Sequence, residues 1–449
     1  MQEDKEEDSF SCRPPKGSTY LTIGQDLSSI SEYITSVYNA SLHNGSVAPL
    51  ASFLPSAFMF YTDIMSLNGT EAPVDYGSGI EFALGIFQLF PVEKASNFGI
   101  QIGLWLSGAN GCQQVASGQL NDQIRKFGDY LNTLPASVVF LRIGYEFDNP
   151  YFGYLSDSHA YIAAFQTIVS GIRKILCPAK NGPCKVKFVW HSWAASLLET
   201  VQLDEFYPGD SFVDWVGVSI FQQVYSWANT NLTTVDSFTG GTLQHVENVL
   251  NFAAAHDKPV MIAESTPFGG IVPNTAFFEN STEDPWQRWF EPVLNLIDQY
   301  DIAMWSYITC DWDSQPMWYN VGFGDTRVAS NSIVLKNWLK LVTTRKYGNR
   351  KFLMAGSLDT CGGSVTDSSQ SSPLLTGVSM QSLNWEPENP VVWFAFLVFG
   401  CLICALLQPL CKRKRREECF HFLNRRHYDT IEEQTPLRAK IYTAEEEIT

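Results

Sequence analysis

Val138–Glu146 reads VVFLRIGYE, an apolar run interrupted by Arg142 and closed by a glutamate. Runs of the same kind recur along the chain. They are Tyr20–Asp26 (YLTIGQD), Ala57–Asp63 (AFMFYTD), Ile100–Leu106 (IQIGLWL), Val186–Ser192 (VKFVWHS), Trp215–Phe221 (WVGVSIF), Pro259–Ser265 (PVMIAES) and Ala303–Asp311 (AMWSYITCD), eight in all with the first. Near-continuous apolar runs of this length are strands covered on both faces, as in parallel sheets. Helical patterns lie between them. Leu120, Ile124, Phe127 and Leu131 fall on one helix face, as do Tyr161, Phe165, Ile168, Ile172 and Ile175; Leu243–Ala255 and Trp286–Tyr300 read likewise. Eight strands alternating with helices predict an α/β fold of the (β/α)8 TIM-barrel type over residues 18–347. A doubly wound open sheet would call for a Gly-rich phosphate loop after an early strand, and the sequence has none.

The flanking sequence differs in kind. Residues 1–17 begin with a short acidic tail, and residues 348–390 are rich in Ser, Thr and Gly without apolar periodicity, which predicts a stalk. Val391–Leu410 (VVWFAFLVFGCLICALLQPL) is twenty residues without a formal charge. A helix of that length spans about 30 Å, the thickness of a bilayer core. Lys412–Arg416 (KRKRR) follows at once, and such a basic cluster marks the cytoplasmic side. A transmembrane helix over 391–411 is therefore expected, with the barrel extracellular or lumenal and residues 412–449 cytoplasmic. That topology calls for a secretory signal, and Met1–Phe10 (MQEDKEEDSF) has no apolar run of that kind. Sequons at Asn39, Asn44, Asn68, Asn231 and Asn280 all lie on the exterior side and are expected to be glycosylated. Six cysteines precede the apolar segment, an even set that suits an oxidising compartment. Cys177 and Cys184 flank a short turn-rich loop and are the expected disulfide; the other pairings stay open.

Charge excludes some functions. The chain carries −17 in total; residues 412–449 hold nine basic and eight acidic side chains, or +1, so the remainder carries −18. A broad basic face for nucleic acid is absent from such a balance. The six cysteines before the apolar segment have no zinc-ligand spacing, and neither metal nor cofactor is expected.

Catalytic residues in a barrel of this kind sit at the carboxyl ends of the strands. The fourth strand ends at Glu146 and the seventh at Glu264-Ser265, which puts two carboxylates at one mouth. A retaining glycosidase needs such a pair, about 5–5.5 Å apart, one as acid/base and one as nucleophile. Glu146 is expected to be the protonated acid and Glu264 the ionised nucleophile. Arg142 has the strand parity to point the same way as Glu146, and its charge would keep Glu264 ionised.

Four segments resemble a known family. Phe140–Asp148 (FLRIGYEFD) is similar to an acid/base strand and Ala160–Arg173 (AYIAAFQTIVSGIR) to the helix after it. Tyr207–Phe221 (YPGDSFVDWVGVSIF) is similar to the stretch leading into a sixth strand, and Lys258–Ser265 (KPVMIAES) to a nucleophile strand. Together they resemble the retaining glycoside hydrolases of clan A, and within it family 26, the endo-β-mannanase-like enzymes. The resemblance implies a β-mannan-like or other β-linked glycan as substrate, cleaved by double displacement. Family members commonly have His before the acid/base glutamate, where this chain has Tyr145. That position commonly helps to hold the substrate, so Tyr145 joins the expected binding residues. Phe221 stands where relatives often carry a tyrosine bonded to the nucleophile, and Tyr225 is expected to take over. Sugar rings stack on aromatic faces, and Trp193, Trp305 and Trp312 at or past strand ends are the expected platforms, with His191 as a donor to the sugar. A catalytically inactive carbohydrate-binding or adhesion ectodomain is the alternative; it would keep the barrel and the aromatics without needing both glutamates.

Overall fold

The structure is a computed structural model that describes residues 12–25, 27–43, 53–70, 98–177, 184–195, 202–225, 242–272, 284–315, 318, 321–358 and 361. Eight parallel strands form a closed barrel: β1 (Ser18–Gly24), β2 (Ala57–Asp63), β3 (Gly99–Trp105), β4 (Val139–Ile143), β5 (Val186–Ser192), β6 (Trp215–Ile220), β7 (Val260–Ser265) and β8 (Met304–Ile308). Each pairs with the next, and β1 pairs with both β8 (Tyr20 opposite Met304) and β2 (Thr22 opposite Ala57). A bulge between Val218 and Ser219 shifts the β6–β7 register, so that Ser219 stands opposite Glu264.

Seven helices cover the barrel among the described residues: α1 (Leu27–His43), α2 (Gly108–Ala116), α3 (Asn121–Thr133), α4 (Ser158–Leu176), α5 (Leu243–Ala255), α6 (Glu291–Gln299) and α7 (Ser332–Thr344). The expected faces are the buried ones. In α3 they are Ile124, Phe127 and Leu131, and in α4 Tyr161, Phe165, Ile168 and Ile172. Asp157 caps α4 by accepting from the Ala160 amide at 2.9 Å, satisfying one of the orphan donors of a helix start. A π-helical turn, Trp286–Phe290, leads into α6.

Most strand boundaries shift by a residue or two from the sequence expectation, and three departures are larger or bear on the site. β4 stops at Ile143 because Gly144 turns the chain with φ +54°, so Glu146 lies past the strand rather than at its end. β8 stops at Ile308. The chain beyond Tyr347, expected to leave as a stalk, returns to the barrel. β9 (Lys346–Tyr347) turns into β10 (Arg350–Leu353), which lies parallel to the start of β1 with Ser18 opposite Lys351. Arg350 anchors this hairpin from a buried position, donating to Asp301 at 2.6 Å and to the Ile297 carbonyl at 2.7 Å.

The barrel floor is apolar. Tyr20, Phe140, Val189, Trp215, Met261 and Met304 are among the side chains that fill it, and Cys12, Leu358 and Cys361 close it from below. Gly99 makes room for Leu358: a Cβ there would stand 2.8 Å from the leucine Cδ1. Cys177 and Cys184 are disulfide-bonded, as expected. Asn39 and Asn68 are exposed; Asn44, Asn231 and Asn280 lie outside the described residues. So do the apolar segment 391–410 and residues 412–449; among the described residues no helix is long and apolar enough to cross a membrane.

Candidate active site

The mouth of the barrel is built from the same strands as the floor, two residues further along. On β4, Phe140 gives way to Arg142, and on β5 Val189 gives way to His191. On β6, Ser219 follows Trp215 and Gly217 on the inward side. Two glycines make space for these larger side chains. A Cβ at Gly103 would lie 2.6 Å from the Tyr61 ring and 2.9 Å from Arg142 Nη2, and one at Gly217 would lie 3.1 Å from His191 Cβ.

Glu146 and Glu264 are buried, 5 % and 8 % exposed, and each offers a carboxylate oxygen within 4.8 Å of the other's. Their surroundings are opposite. Glu264 receives a very short hydrogen bond from Arg142 Nη1, in an ion pair. Arg142 is fully buried; its guanidinium lies over the rings of Tyr61 and Tyr145, 4.9 and 5.4 Å from their centroids. Those π faces, with the Tyr61 hydroxyl beside the guanidinium, partly offset its burial. Among the described residues Glu146 pairs with no cation. It accepts from Ser219 Oγ at 2.6 Å and from Asn149 Nδ2 at 3.0 Å. Burial, then the Glu264 charge, push its pKa up to about 8, although both hydrogen bonds pull the other way. At neutral pH Glu146 therefore keeps its proton.

A chain of hydrogen bonds joins the two. Arginine can only donate, so the Arg142 Nη1 contact with His191 Nδ1 at 3.3 Å leaves that nitrogen as acceptor. His191 Nε2–H then donates to Ser219 Oγ at 3.0 Å, and Ser219 donates onward to Glu146 Oε1. His191 stays neutral, its pKa held well below the usual value by burial and then by Arg142. Both its nitrogens are occupied and it is fully buried, so it is not the sugar donor expected from the sequence.

Local backbone aims the acid. Glu146 itself has φ +53°, left-handed and unusual for a residue with a side chain. Asn149 caps a 3₁₀ turn, Pro150–Phe152, accepting from the Tyr151 amide with Oδ1; this leaves its Nδ2 facing Glu146. Asp148, also buried, accepts from Ser192 Oγ at 2.6 Å and the Trp193 amide at 2.5 Å, tying the β4 and β5 ends together. Burial raises its pKa.

The expected stacking platforms are covered. Trp305 is fully buried and donates to Ser265 Oγ at 3.0 Å, a core residue. Trp193 is 2 % exposed, and Trp312 is 3 % exposed with its ring stacked on Phe323. No sugar ring can lie on such faces. Tyr225 donates to the Phe268 carbonyl at 2.8 Å and does not replace the tyrosine expected beside the nucleophile. Among the described residues, half-buried aromatics at the mouth are instead Tyr61, Tyr145 and Phe152, packed edge to face in sequence at 5.5 and 5.4 Å, and Trp105, whose indole N–H meets no acceptor there.

Glu146, His191 and Glu264 are close enough together to hold a cation among the described residues. Arg142 already places a fixed positive charge on two of the three, which works against a metal there.

No protein-family model matches the chain. A β-1,3-xylanase from an Alcaligenes species is 26 % identical over 354 residues, covering 75 % of this chain and 66 % of the relative. The β-1,3-xylanase TXYA of a Vibrio species is 26 % identical over 356 residues, covering 74 % and 66 %. The chain thus spans about two thirds of the length of these curated relatives. A modular endo-β-1,4-mannanase of glycoside hydrolase family 26 from Cellulomonas fimi superposes with a TM-score of 0.51 at 14 % identity, covering 80 % of this chain and 77 % of that one. The fold is that of a family 26 glycoside hydrolase. The family 26 resemblance read from the sequence agrees with that fold; Glu146 stands just past β4 and Glu264 near the end of β7, the strands on which it puts the acid/base and the nucleophile. Ser219, Asn149, Asp148 and Tyr61 complete the site and were not expected from the sequence. A lone serine in the apolar run WVGVSI and the turn-forming Asp-Asn-Pro after Glu146 were the available signals.

Proposed function

We propose that this protein is a retaining glycoside hydrolase that cleaves a β-linked polysaccharide by double displacement. The observation that carries this reading is the unequal pair at the mouth: one buried carboxylate matched to Arg142, the other protonated at neutral pH, with oxygens within 4.8 Å. That spacing suits a covalent intermediate; an inverting enzyme needs roughly 6.5–9.5 Å to seat a water. Glu146 gives its proton to the leaving glycosidic oxygen while Glu264 attacks the anomeric carbon. Once Glu264 is esterified its negative charge is gone, and with it one cause of the raised Glu146 pKa. Glu146 then remains ionised long enough to take a proton from the incoming water, which releases the sugar with its anomeric configuration retained. The aromatic group Tyr61, Tyr145 and Phe152, with the free indole N–H of Trp105, is the surface on which the sugar rests.

The curated relatives are named for β-1,3-xylan, and that polymer, rather than mannan, is the first substrate to test. The apolar segment 391–410 with its basic flank supports a single-pass anchor that holds the barrel outside the cytoplasm. The test is a hydrolysis screen of the full chain on β-1,3-xylan, β-1,4-xylan, mannan and mixed-linked β-glucan, with the anomer of the first product followed by NMR. Release of β-product is expected. Binding without cleavage of any of these would favour the inactive adhesion ectodomain. For Glu146→Ala, an activated aryl glycoside should lose much less rate than the polysaccharide, because its leaving group needs no proton. Equal losses on both would remove Glu146 from the acid role.

A further inference from the structure

We propose that Cys12 and Cys361 form a disulfide that closes the barrel floor, so that the exterior chain carries two bridges while Cys112 and Cys310 remain thiols. The two cysteines are 349 positions apart in sequence, yet the Cys12 thiol donates to the Cys361 carbonyl at 3.4 Å and also hydrogen-bonds the Cys361 side chain. Both are buried, 3 % and 5 % exposed, in the same apolar cluster. Their positions follow from the fold. Cys12 leads into β1, Cys361 follows β10, and these strands are parallel neighbours with Ser18 opposite Lys351. Met354 then pairs with Pro55, and Leu358 tucks beneath Gly99, which carries residue 361 back under the start of the chain. The Tyr20 hydroxyl also bonds the Cys361 side chain, which holds that thiol at the floor. Cys310 lies elsewhere, its sulfur against Gln315 Nε2 at 2.8 Å, and Cys112 sits on α2.

The chemistry needs an oxidant of the disulfide class, such as oxidised glutathione or a thiol oxidoreductase. One cysteine thiolate attacks the carrier disulfide and expels a thiol. The second thiolate then attacks the mixed disulfide and expels the other thiol, so two protein thiols lose two hydrogens and the carrier gains them. Burial pushes the Cys12 thiol far above its ordinary pKa, so the folded pair is unreactive. The bond therefore forms while the chain folds, and once formed it is shielded from reductants. Closing so long a loop restricts the unfolded chain more than the short Cys177–Cys184 loop does. The proposal rests on the exterior placement above only for the supply of oxidant.

The test is non-reducing peptide mapping of the full chain from a secretory expression host, with free thiols alkylated before digestion. A cross-linked pair of peptides holding Cys12 and Cys361 is the expected result, with Cys112 and Cys310 alkylated. Alkylated Cys12 and Cys361 beside a closed Cys177–Cys184 bridge would overturn the proposal. If both bridges are open, the exterior placement fails instead, and the chain is then refolded from denaturant in a glutathione redox buffer. Formation of the Cys12–Cys361 bridge there supports the proposal and its absence sinks it. A second measurement uses Cys12→Ser, Cys361→Ser and the double variant. Each single change should lower the melting temperature by several degrees and the double change by no more than the larger single one, because one bond is lost in all three. Additive losses would mean two independent packed thiols and no bridge.

Discussion

Along β4, β5 and β6 the floor residues Phe140, Val189 and Trp215 and the mouth residues Arg142, His191 and Ser219 share one inward face, yet they work in opposite ways. The floor gains from every contact: Phe140 meets Trp215 edge to face at 5.2 Å, and hydrophobic burial needs no exact orientation. The mouth buries a guanidinium, two carboxylates and an imidazole, each of which costs free energy unless a partner meets it. Strand parity delivers both layers, so the stabilising one and the costly one cannot be separated by more than a few ångströms of chain. The lesson is that stability in this barrel is concentrated at one end and chemistry at the other, with glycines at 103 and 217 as the spacing between them.

The sharpest break in that comparison is at Glu264. Glu264→Gln should reduce turnover on the order of 10⁴-fold or more, and it should also lower stability, because Arg142 is left buried and unmatched. Adding Arg142→Met should restore the melting temperature without restoring any activity. A double variant that stays as unstable as the single would mean that the ion pair supports the fold in some other way. The floor should respond in reverse. Phe140→Ala should cost about 3–5 kcal/mol by transfer and cavity terms, measured by denaturant unfolding, while the protein that remains folded keeps its pH profile. An altered profile would show the two layers to be coupled.

Smaller effects sharpen the picture at the acid. The alkaline limb of kcat/KM should fall near pH 8, where Glu146 loses its proton and can no longer act as donor. A limb well below pH 6 would remove Glu146 from that role. Ser219→Ala deletes a hydrogen bond that favours the ionised carboxylate, so the Glu146 pKa should rise and the limb should move to higher pH. Ser219→Thr keeps the hydroxyl and should keep the limb in place. A limb that moves down in Ser219→Ala would reverse the sign and break the relay through His191.

The fold was legible because apolar runs and helical periods report burial, and burial is what a barrel distributes evenly. All eight strand positions and the helices of residues 120–134, 160–175 and 243–255 follow from that alone. The two glutamates were legible because a charge closing an apolar strand needs a reason. What escaped depends on facts that no run of residues encodes. A tryptophan past a strand end reads as exposed, yet Trp193 and Trp312 are covered, Trp312 by the ring of Phe323 that the following loop lays against it. The role of Ser219 depends on a bulge that brings it opposite Glu264, and that of Asn149 on a cap that fixes which end of its amide faces the acid. The return of β10 to β1 was hidden because RKFL is too short to show a period.

The left-handed backbone at Glu146 has an evolutionary side. Glycine enters that conformation freely, whereas a side chain there costs on the order of 1 kcal/mol, and this carboxyl is in addition stripped of water. Thermal selection alone would therefore steadily favour Glu146→Gly, erasing the acid while improving the fold. The glutamate marks a position where robustness and usefulness pull in opposite directions, and any lineage bred only for endurance should lose its chemistry here first.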